Sequence, residues 1–181
     1  EFDVKRLFKT AMDRFGKIDI LVNNSGAFDG GPVDKITVEQ WNRVIGVNVT
    51  GMFLGIREVF PIMKRQGGGR IINIGSIAAQ RARHSSVPYT TSKHAVWGLT
   101  QASALEGRDF GIAVSCIHPG NTEVERRSGG KSSTGRDEGP EPSIGTNDIG
   151  QTALIMATLP QGSNMLEAIV LPLSQDYLGR G

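Results

Sequence analysis

Apolar residues follow two kinds of pattern along the chain. Stretches in which they recur every three or four residues predict helices, and short runs that are apolar at nearly every position predict strands covered on both faces. On this basis we predict helices over 2–15, from about 37 to 66, over 89–109 and over 146–159. We predict strands over 18–24, 70–76, 112–120 and 164–172.

Local signals support several of these boundaries. Gly16 follows the first helix, and Thr37 with Gln40 forms a T-x-x-Q capping box at the start of the second. Three glycines at 67–69 end that helix, and Pro160 ends the last one. Because these glycines precede a strand, we interpret them as a connector and not as a phosphate-binding loop.

Helices that alternate with buried strands are typical of βαβ units, which build a parallel sheet through right-handed crossovers. The chain has 181 residues, enough for one domain with its own core. We therefore expect a single α/β domain over 1–181. The segment 126–145 is rich in glycine, serine and charge, so we predict a mobile loop beside the active site; a disordered linker is the alternative.

Composition excludes some classes of function. The net charge of +2 is too balanced to indicate binding to nucleic acid or to a membrane surface. No apolar run approaches the roughly 20 residues of a membrane span. Cys116 is the only cysteine, which excludes an intrachain disulfide and favours a reducing, cytoplasmic location; mid-strand, it is interpreted as a small buried hydrophobe.

Two further kinds of site are disfavoured. His84, His94 and His118 lie 10 and 24 residues apart, which matches no short metal-ligand motif, so no metal site is expected and each histidine is interpreted as structural. A serine hydrolase would place its nucleophile in G-x-S-x-G, and Ser76 in GSIAA lacks the second glycine.

Polar residues follow three of the predicted strands at the point where each strand ends. Asn24, Ser25 and Gly26 follow the first, Ser76 ends the second, and Pro119 to Thr122 ends the third. In a parallel α/β sheet, ligands bind outside the carboxyl ends of the strands. Since Tyr89 begins the helix after Ser76, these groups are expected to meet at one edge of the sheet.

Tyr89 and Lys93 are four residues apart, which places both side chains on one face of a helix. A free phenol is protonated at neutral pH and is a poor base, but a nearby ammonium stabilises its phenolate. Tyr89 would then exchange a proton with an alcohol or carbonyl oxygen that Ser76 hydrogen-bonds. The carbon-bound hydride needs an acceptor, which indicates a nicotinamide.

Each of these residues also has an ordinary structural interpretation. A tyrosine followed four positions later by lysine occurs by chance, and Ser76 alone is a common strand-end serine. Asn48 lies inside an apolar helical pattern, where its amide is either tolerated or has a specific role. Asn24 can simply serve the turn.

Taken together, LVNNSG, VNVTGMF, GRIINIGSIA, YTTSK and HPG resemble, in this order, the short-chain dehydrogenase/reductase family. The spacing from Ser76 to Tyr89 is the usual one in that family. The resemblance runs from Phe2 to about Gly120 and more loosely through 159–172. It implies a Rossmann-like, doubly wound parallel sheet with helices on both faces.

The resemblance also implies hydride transfer between NAD or NADP and an alcohol or carbonyl. Tyr89 would be the general acid/base, and Ser76 would orient the substrate. Lys93 would bind the nicotinamide ribose, and Asn48, in a locally irregular helix, would hold a water that links Lys93 to solvent. Asn24, Ser25 and Gly26 would line the adenosine side of the cofactor.

Family members commonly form homotetramers or homodimers through the two helices that carry Asn48 and Tyr89. Two departures from the family pattern stand out. The opening strand and the turn T-G-x-x-x-G-x-G, which binds the pyrophosphate, precede the first family element found here, so we expect a sequence that lacks its beginning; a regulatory or decayed fragment is the alternative. The family turn P-G-x-V-x-T reads PGNTEV, and after Pro119 and Gly120 the candidate anchor for the nicotinamide carboxamide is Thr122.

The loops near the predicted site carry several cations: Arg81, Arg83, His84, Arg126 and Arg127. If they face the pocket, they attract a carboxylate or phosphate on the substrate; the alternative is that they are solvated loop charges. Two rival functions remain beside an oxidoreductase. One is an isomerase or lyase that uses the same Tyr/Lys pair, and the other is a non-catalytic binding or oligomerisation module.

Overall fold

The computed structural model of the protein describes residues 1–123 and 141–178. Its helices are α1 (Phe2–Phe15), α2 (Val38–Ile45), α3 (Met52–Gln66), α4 (Val87–Gly107) and α5 (Thr146–Thr158). A π-helical segment, Gly46–Gly51, joins α2 to α3, and 3₁₀ turns span Ile77–Ala79 and Arg108–Phe110. The strands are β1 (Ile20–Asn23), β2 (Gly69–Ile74), β3 (Ile112–Pro119) and β4 (Glu167–Val170).

The ends of the first two helices follow from the signals in the sequence. Gly16 adopts φ 74°, a left-handed conformation that glycine accepts without strain, and its N–H bonds the carbonyl of Met12. The capping box is confirmed: Thr37 Oγ1 accepts from the N–H of Gln40 at 3.2 Å, and Gln40 Oε1 accepts from the N–H of Thr37 at 2.9 Å.

The four strands are parallel and lie in the order β1-β2-β3-β4. Ile71 of β2 and Val114 of β3 point to one face, where they pack with α1, α3 and α4. Ile72 and Ile117 point to the opposite face and pack against Met156 of α5. The α/β fold with helices on both faces of a parallel sheet is therefore confirmed.

The hand of one connection differs from the prediction. Across the sheet the strands follow one another in the same order as along the chain. However, α3 and α4 lie on one face of the sheet, and α5 lies on the other. The crossover through α5 must therefore have the opposite hand to the first two. Since right-handed crossovers are the rule, our expectation that every crossover is right-handed is wrong for the β3–α5–β4 unit.

The first strand is less covered than its apolar sequence predicts. Leu21 packs against the helices on one face, but Ile20 and Val22 on the other are 44% and 48% exposed. Among the described residues, β1 is an edge strand and no helix packs over that second face. In the described residues one face of β1 is therefore open, whereas β2 and β3 have buried side chains on both faces.

The long helical stretch Val38–Gln66 is apolar enough, by length and composition alone, to cross a membrane. Polar residues interrupt every apolar run within this stretch, so no continuous apolar run marks it in the sequence. One third of its most apolar window is buried inside the protein. Met52, Ile56 and Val59 of this stretch belong to the core between helices and sheet.

Candidate active site

A cavity of about 510 Å³ lies at the carboxyl ends of β1, β2 and β3. Most of the site residues predicted from the sequence line it: Asn24, Gly26, Ser76, Tyr89, Lys93, Pro119, Gly120 and Thr122. Two predicted residues lie elsewhere. Ser25 is exposed beside the cavity, and Asn48 is buried behind it. The structure thus brings three strand ends and one helix start together, as the parallel sheet predicts.

Tyr89 and Lys93 share one side of α4. The helix begins at Val87, two residues earlier than predicted, with Pro88 in its first turn. Lys93 is 5% exposed, and its Nζ lies 5.5 Å from the centre of the Tyr89 ring. This Nζ donates a hydrogen bond to the carbonyl of Ile74 at 2.9 Å, which fixes the ammonium at the end of β2. A buried cation therefore stands next to the phenol.

Phe28 was not identified from the sequence as part of this site. Its ring centre lies 5.1 Å from that of Tyr89, with the two ring planes tilted by 55°. Such tilted contacts stabilise an aromatic pair and limit rotation of the phenol. No sequence signal marks Phe28, because the loop that carries it has no regular pattern.

Ser76 begins the 3₁₀ turn that follows β2. Its Oγ accepts from the N–H of Ala78 at 3.1 Å, and it lines the cavity. Behind it, Nδ1 of the buried His118 lies 2.9 Å from the carbonyl of Ser76 and 3.3 Å from its N–H. His118 therefore fixes the backbone that carries the serine hydroxyl, which agrees with its interpretation as structural.

Asn48 lies in the π-helical segment and is 1% exposed. Its Oδ1 accepts from the N–H of Ala27 at 2.7 Å, and its Nδ2 donates to the carbonyl of Ala27 and to Ser92 Oγ, each at 2.9 Å. The amide thus joins the loop after β1 to α4, one residue from Lys93. Because Lys93 itself bonds Ile74, a water between Asn48 and Lys93 stays a prediction.

The turn after β3 is held by segments distant in sequence. Thr122 Oγ1 donates to the carbonyl of Gly120 at 3.2 Å, and Thr122 pairs with Ile144 in an isolated parallel bridge. Asn121 is 4% exposed; its N–H bonds Gln175, and its Nδ2 donates to Glu141 Oε2 at 2.9 Å. Residues 126–140 of the predicted loop, with Arg126 and Arg127, lie outside the described residues.

The interpretation of Cys116 as a small buried hydrophobe is confirmed. Its side chain is 0% exposed and belongs to the core under α4. Burial raises the pKa of the Cys116 thiol to about 11, so the thiol stays protonated at neutral pH.

The buried His118 makes stability depend on pH. Burial is the main cause that lowers the pKa of His118, Lys93 lowers it further, and the Ser76 carbonyl and Glu167 act in the opposite direction. The unfolded chain therefore takes up a proton below about pH 6.5 that the folded chain does not. We expect the contribution of His118 to the free energy of unfolding to be complete above that pH and to be lost as the pH falls through the lowered pKa. The free energy of unfolding should change by at most about 1.4 kcal/mol per pH unit.

Urea unfolding between pH 5 and pH 8 tests this expectation. A His118→Gln variant should lose part of the pH dependence, and the control His84→Gln, at an exposed loop position, should keep all of it. If the free energy of unfolding had the same slope against pH in the wild type and in His118→Gln, His118 would not be a source of the pH dependence.

Comparison with known proteins places this geometry in context. A family model described as short chain dehydrogenase matches residues 1–133. The chain is 40% identical, over 126 residues, to trans-4-hydroxycyclohexanecarboxylate dehydrogenase of Sinomonas cyclohexanicum. This match covers 70% of the chain and 48% of that protein. It is 45% identical, over 111 residues, to 3-alpha-(or 20-beta)-hydroxysteroid dehydrogenase of Mycobacterium bovis, covering 61% of this chain and 43% of that protein.

A solved structure described as ElxO with NADP bound superposes with a TM-score of 0.83 at 25% sequence identity. The match covers 93% of this chain and 72% of that one. The chain spans about half the length of the curated relatives it matches.

Proposed function

Because the chain belongs to the short-chain dehydrogenase/reductase family, we propose that it is an NAD(P)-dependent oxidoreductase acting on alcohols or carbonyl compounds. The observation that carries this proposal is the position of Tyr89 and Lys93 on one side of α4, both lining the cavity that Ser76 also lines. A chance pair of tyrosine and lysine would have no reason to face a cavity at the carboxyl edge of the sheet.

In this proposal Tyr89 moves the proton. During oxidation its phenolate takes the proton from the alcohol oxygen, and during reduction its hydroxyl donates a proton to the carbonyl oxygen. The ammonium of Lys93, 5.5 Å from the centre of the Tyr89 ring, stabilises the phenolate, and the Ser76 hydroxyl orients the substrate oxygen. Asn48 holds the loop after β1 against α4 and supports the proposed water between Lys93 and solvent.

The residues of the cavity fit the nicotinamide half of NAD or NADP. A volume of about 510 Å³ lies within the usual range of small-molecule sites. The Lys93 ammonium and the Tyr89 hydroxyl suit the two hydroxyls of a ribose, and the Thr122 hydroxyl suits a carboxamide. Asn24 and Gly26 line the same cavity on the side of β1, where the resemblance places the adenosine. When bound, the cofactor accepts or supplies the hydride.

The names of these two relatives support a hydroxy compound as the substrate, in one protein a hydroxycyclohexanecarboxylate and in the other a hydroxysteroid. We also propose a homodimer or homotetramer through α3 and α4. Phe53 on α3 and Leu105 on α4 are large apolar side chains, 44% and 64% exposed, and a second copy of the protein would cover them. A cytoplasmic location stays a prediction from the cysteine content.

Cofactor titration tests the proposed function. The intact mass of the natural protein is measured first, and fluorescence titrations with NADH and NADPH follow, together with assays of cyclic secondary alcohols. We expect saturable binding of at least one cofactor and a change in absorbance at the wavelength of the reduced nicotinamide when an alcohol is added. Binding of neither cofactor would favour the non-catalytic module, and binding without any hydride transfer would favour the isomerase or lyase.

A further inference from the structure

We infer that the substrate carries a carboxylate and that Arg81 binds it; this inference rests on the proposed function and names its substrate class. The cavity walls carry three cationic side chains, Arg81, Arg83 and Lys93, and no aspartate or glutamate among the described residues that line it. A concave site whose charged side chains are all positive raises the local concentration of anions. The three cations differ, however, in how free they are to bind a ligand.

Two of the three cations already have partners. Arg83 forms a two-pronged ion pair with Glu141, in which Nη2 lies 2.5 Å from Oε1 and Nη1 lies 3.3 Å from Oε2. The same carboxylate accepts from Asn121 Nδ2, so it is held in place from β3. Lys93 is buried and bonds the Ile74 carbonyl next to Tyr89. Neither cation is available for a substrate carboxylate without losing these bonds.

In the described part of the chain, Arg81 differs from both of these cations. Within residues 1–123 and 141–178, no carboxylate lies within ion-pair distance of its guanidinium. The side chain is nevertheless positioned, because its Cζ lies 5.7 Å from the centre of the Tyr177 ring. The Tyr177 hydroxyl donates to Gln80 Oε1, and Gln80 Nε2 donates to Glu167 at 2.6 Å. An aromatic ring tied to the sheet thus supports the guanidinium.

The chain connection also places Arg81 five residues after Ser76, and both line the same cavity. Its N–H bonds the Ile77 carbonyl at 2.9 Å, so Arg81 directly follows the 3₁₀ turn that Ser76 begins. The serine that orients the hydroxyl and the arginine that binds the acid therefore stand on one short, hydrogen-bonded segment. A guanidinium matches the two oxygens of a carboxylate with two parallel hydrogen bonds. Such an arrangement selects a hydroxy acid, or the matching oxo acid, over a neutral alcohol.

Paired ligands test this inference in the natural full-length protein. The probes are 4-hydroxycyclohexanecarboxylate and its methyl ester, measured by calorimetric binding and by steady-state kinetics. We expect the acid to bind at least tenfold more tightly than the ester. Arg81→Ala should weaken binding of the acid by 10- to 100-fold and leave the ester unchanged, and Arg81→Lys should restore part of the affinity.

Arg108→Ala removes the same charge from the 3₁₀ turn before β3, at the opposite end of that strand, and should change neither ligand. Equal affinities for acid and ester, or an equal loss for both in Arg81→Ala, would overturn the inference. So would a loss of NADPH binding in Arg81→Ala with NADH binding unchanged, because Arg81 would then bind the cofactor phosphate. Arg81-dependent binding of the acid without hydride transfer would leave the inference standing and reject the proposed function.

Discussion

Tyr89→Phe should lower kcat/KM by about 10²- to 10⁴-fold, the usual contribution of a positioned general acid or base. The substitution removes only the hydroxyl, and the phenyl ring can keep its contact with Phe28 at 5.1 Å. Lys93 also keeps its bond to the Ile74 carbonyl. The loss should therefore appear mainly in the chemical step, with cofactor affinity lowered less than about tenfold by the loss of one hydrogen bond to the ribose. Steady-state kinetics and cofactor titration on the same preparation measure both quantities.

Thr91→Ala is a suitable control on the same helix, since Thr91 is exposed and does not line the cavity. Its kinetics should equal those of the wild type. A Tyr89→Phe protein that keeps more than a tenth of the wild-type turnover would reject Tyr89 as the group that moves the proton.

Gly75→Ala should lower the free energy of unfolding by roughly 2–3 kcal/mol, a typical cost of overpacking a core. A Cβ at this position would lie 2.7 Å from His118 Nδ1 and 2.8 Å from Cys116 Sγ. Both side chains are fully buried, so neither can move easily away from the added methyl group. Urea unfolding measures the loss. Because Gly75 connects β2 to Ser76, activity should fall together with stability.

Gly98→Ala gives the matched comparison within a helix. No atom lies within 4 Å of a Cβ at that position in α4, so the change should stabilise the protein by about 0.5–1 kcal/mol. If Gly75→Ala unfolded at the same urea concentration as the wild type, the close contact between Gly75 and His118 would be wrong.

The fold was predictable because the apolar runs, the capping residues and the alternation of helices with strands all indicated the same architecture. Short apolar runs such as the one containing Ile71 and Ile72, preceded by glycines, are typical of a strand covered on both faces, and the capping box at Thr37 gave a helix start that the structure confirms. The shared edge followed from the rule for parallel sheets, which needs no knowledge of side-chain contacts. Tyr89 and Lys93 were predictable because a helix fixes the relation of residues four apart.

The remaining features depend on contacts between distant parts of the chain. Arg83 and Glu141 are 58 residues apart, and His118 and Ser76 are 42 apart. No local pattern reports such pairs, so the sequence marked Arg81 and Arg83 equally, although among the described residues only Arg83 has an acidic partner. The hand of the α5 crossover was missed for a similar reason. An apolar helix pattern shows that a face is buried but does not show on which side of the sheet it packs.

The position of α5 has a consequence for solvent access. Because the chain changes sides after β3, the site is enclosed by α4 from one side of the sheet and by Ile149 and Ala153 of α5 from the other. If all helices lay on one side of the sheet, the other side of the cavity would be open to bulk water. The reversed connection thus supplies an apolar wall opposite α4, which in the proposed function would keep water away from the reacting atoms.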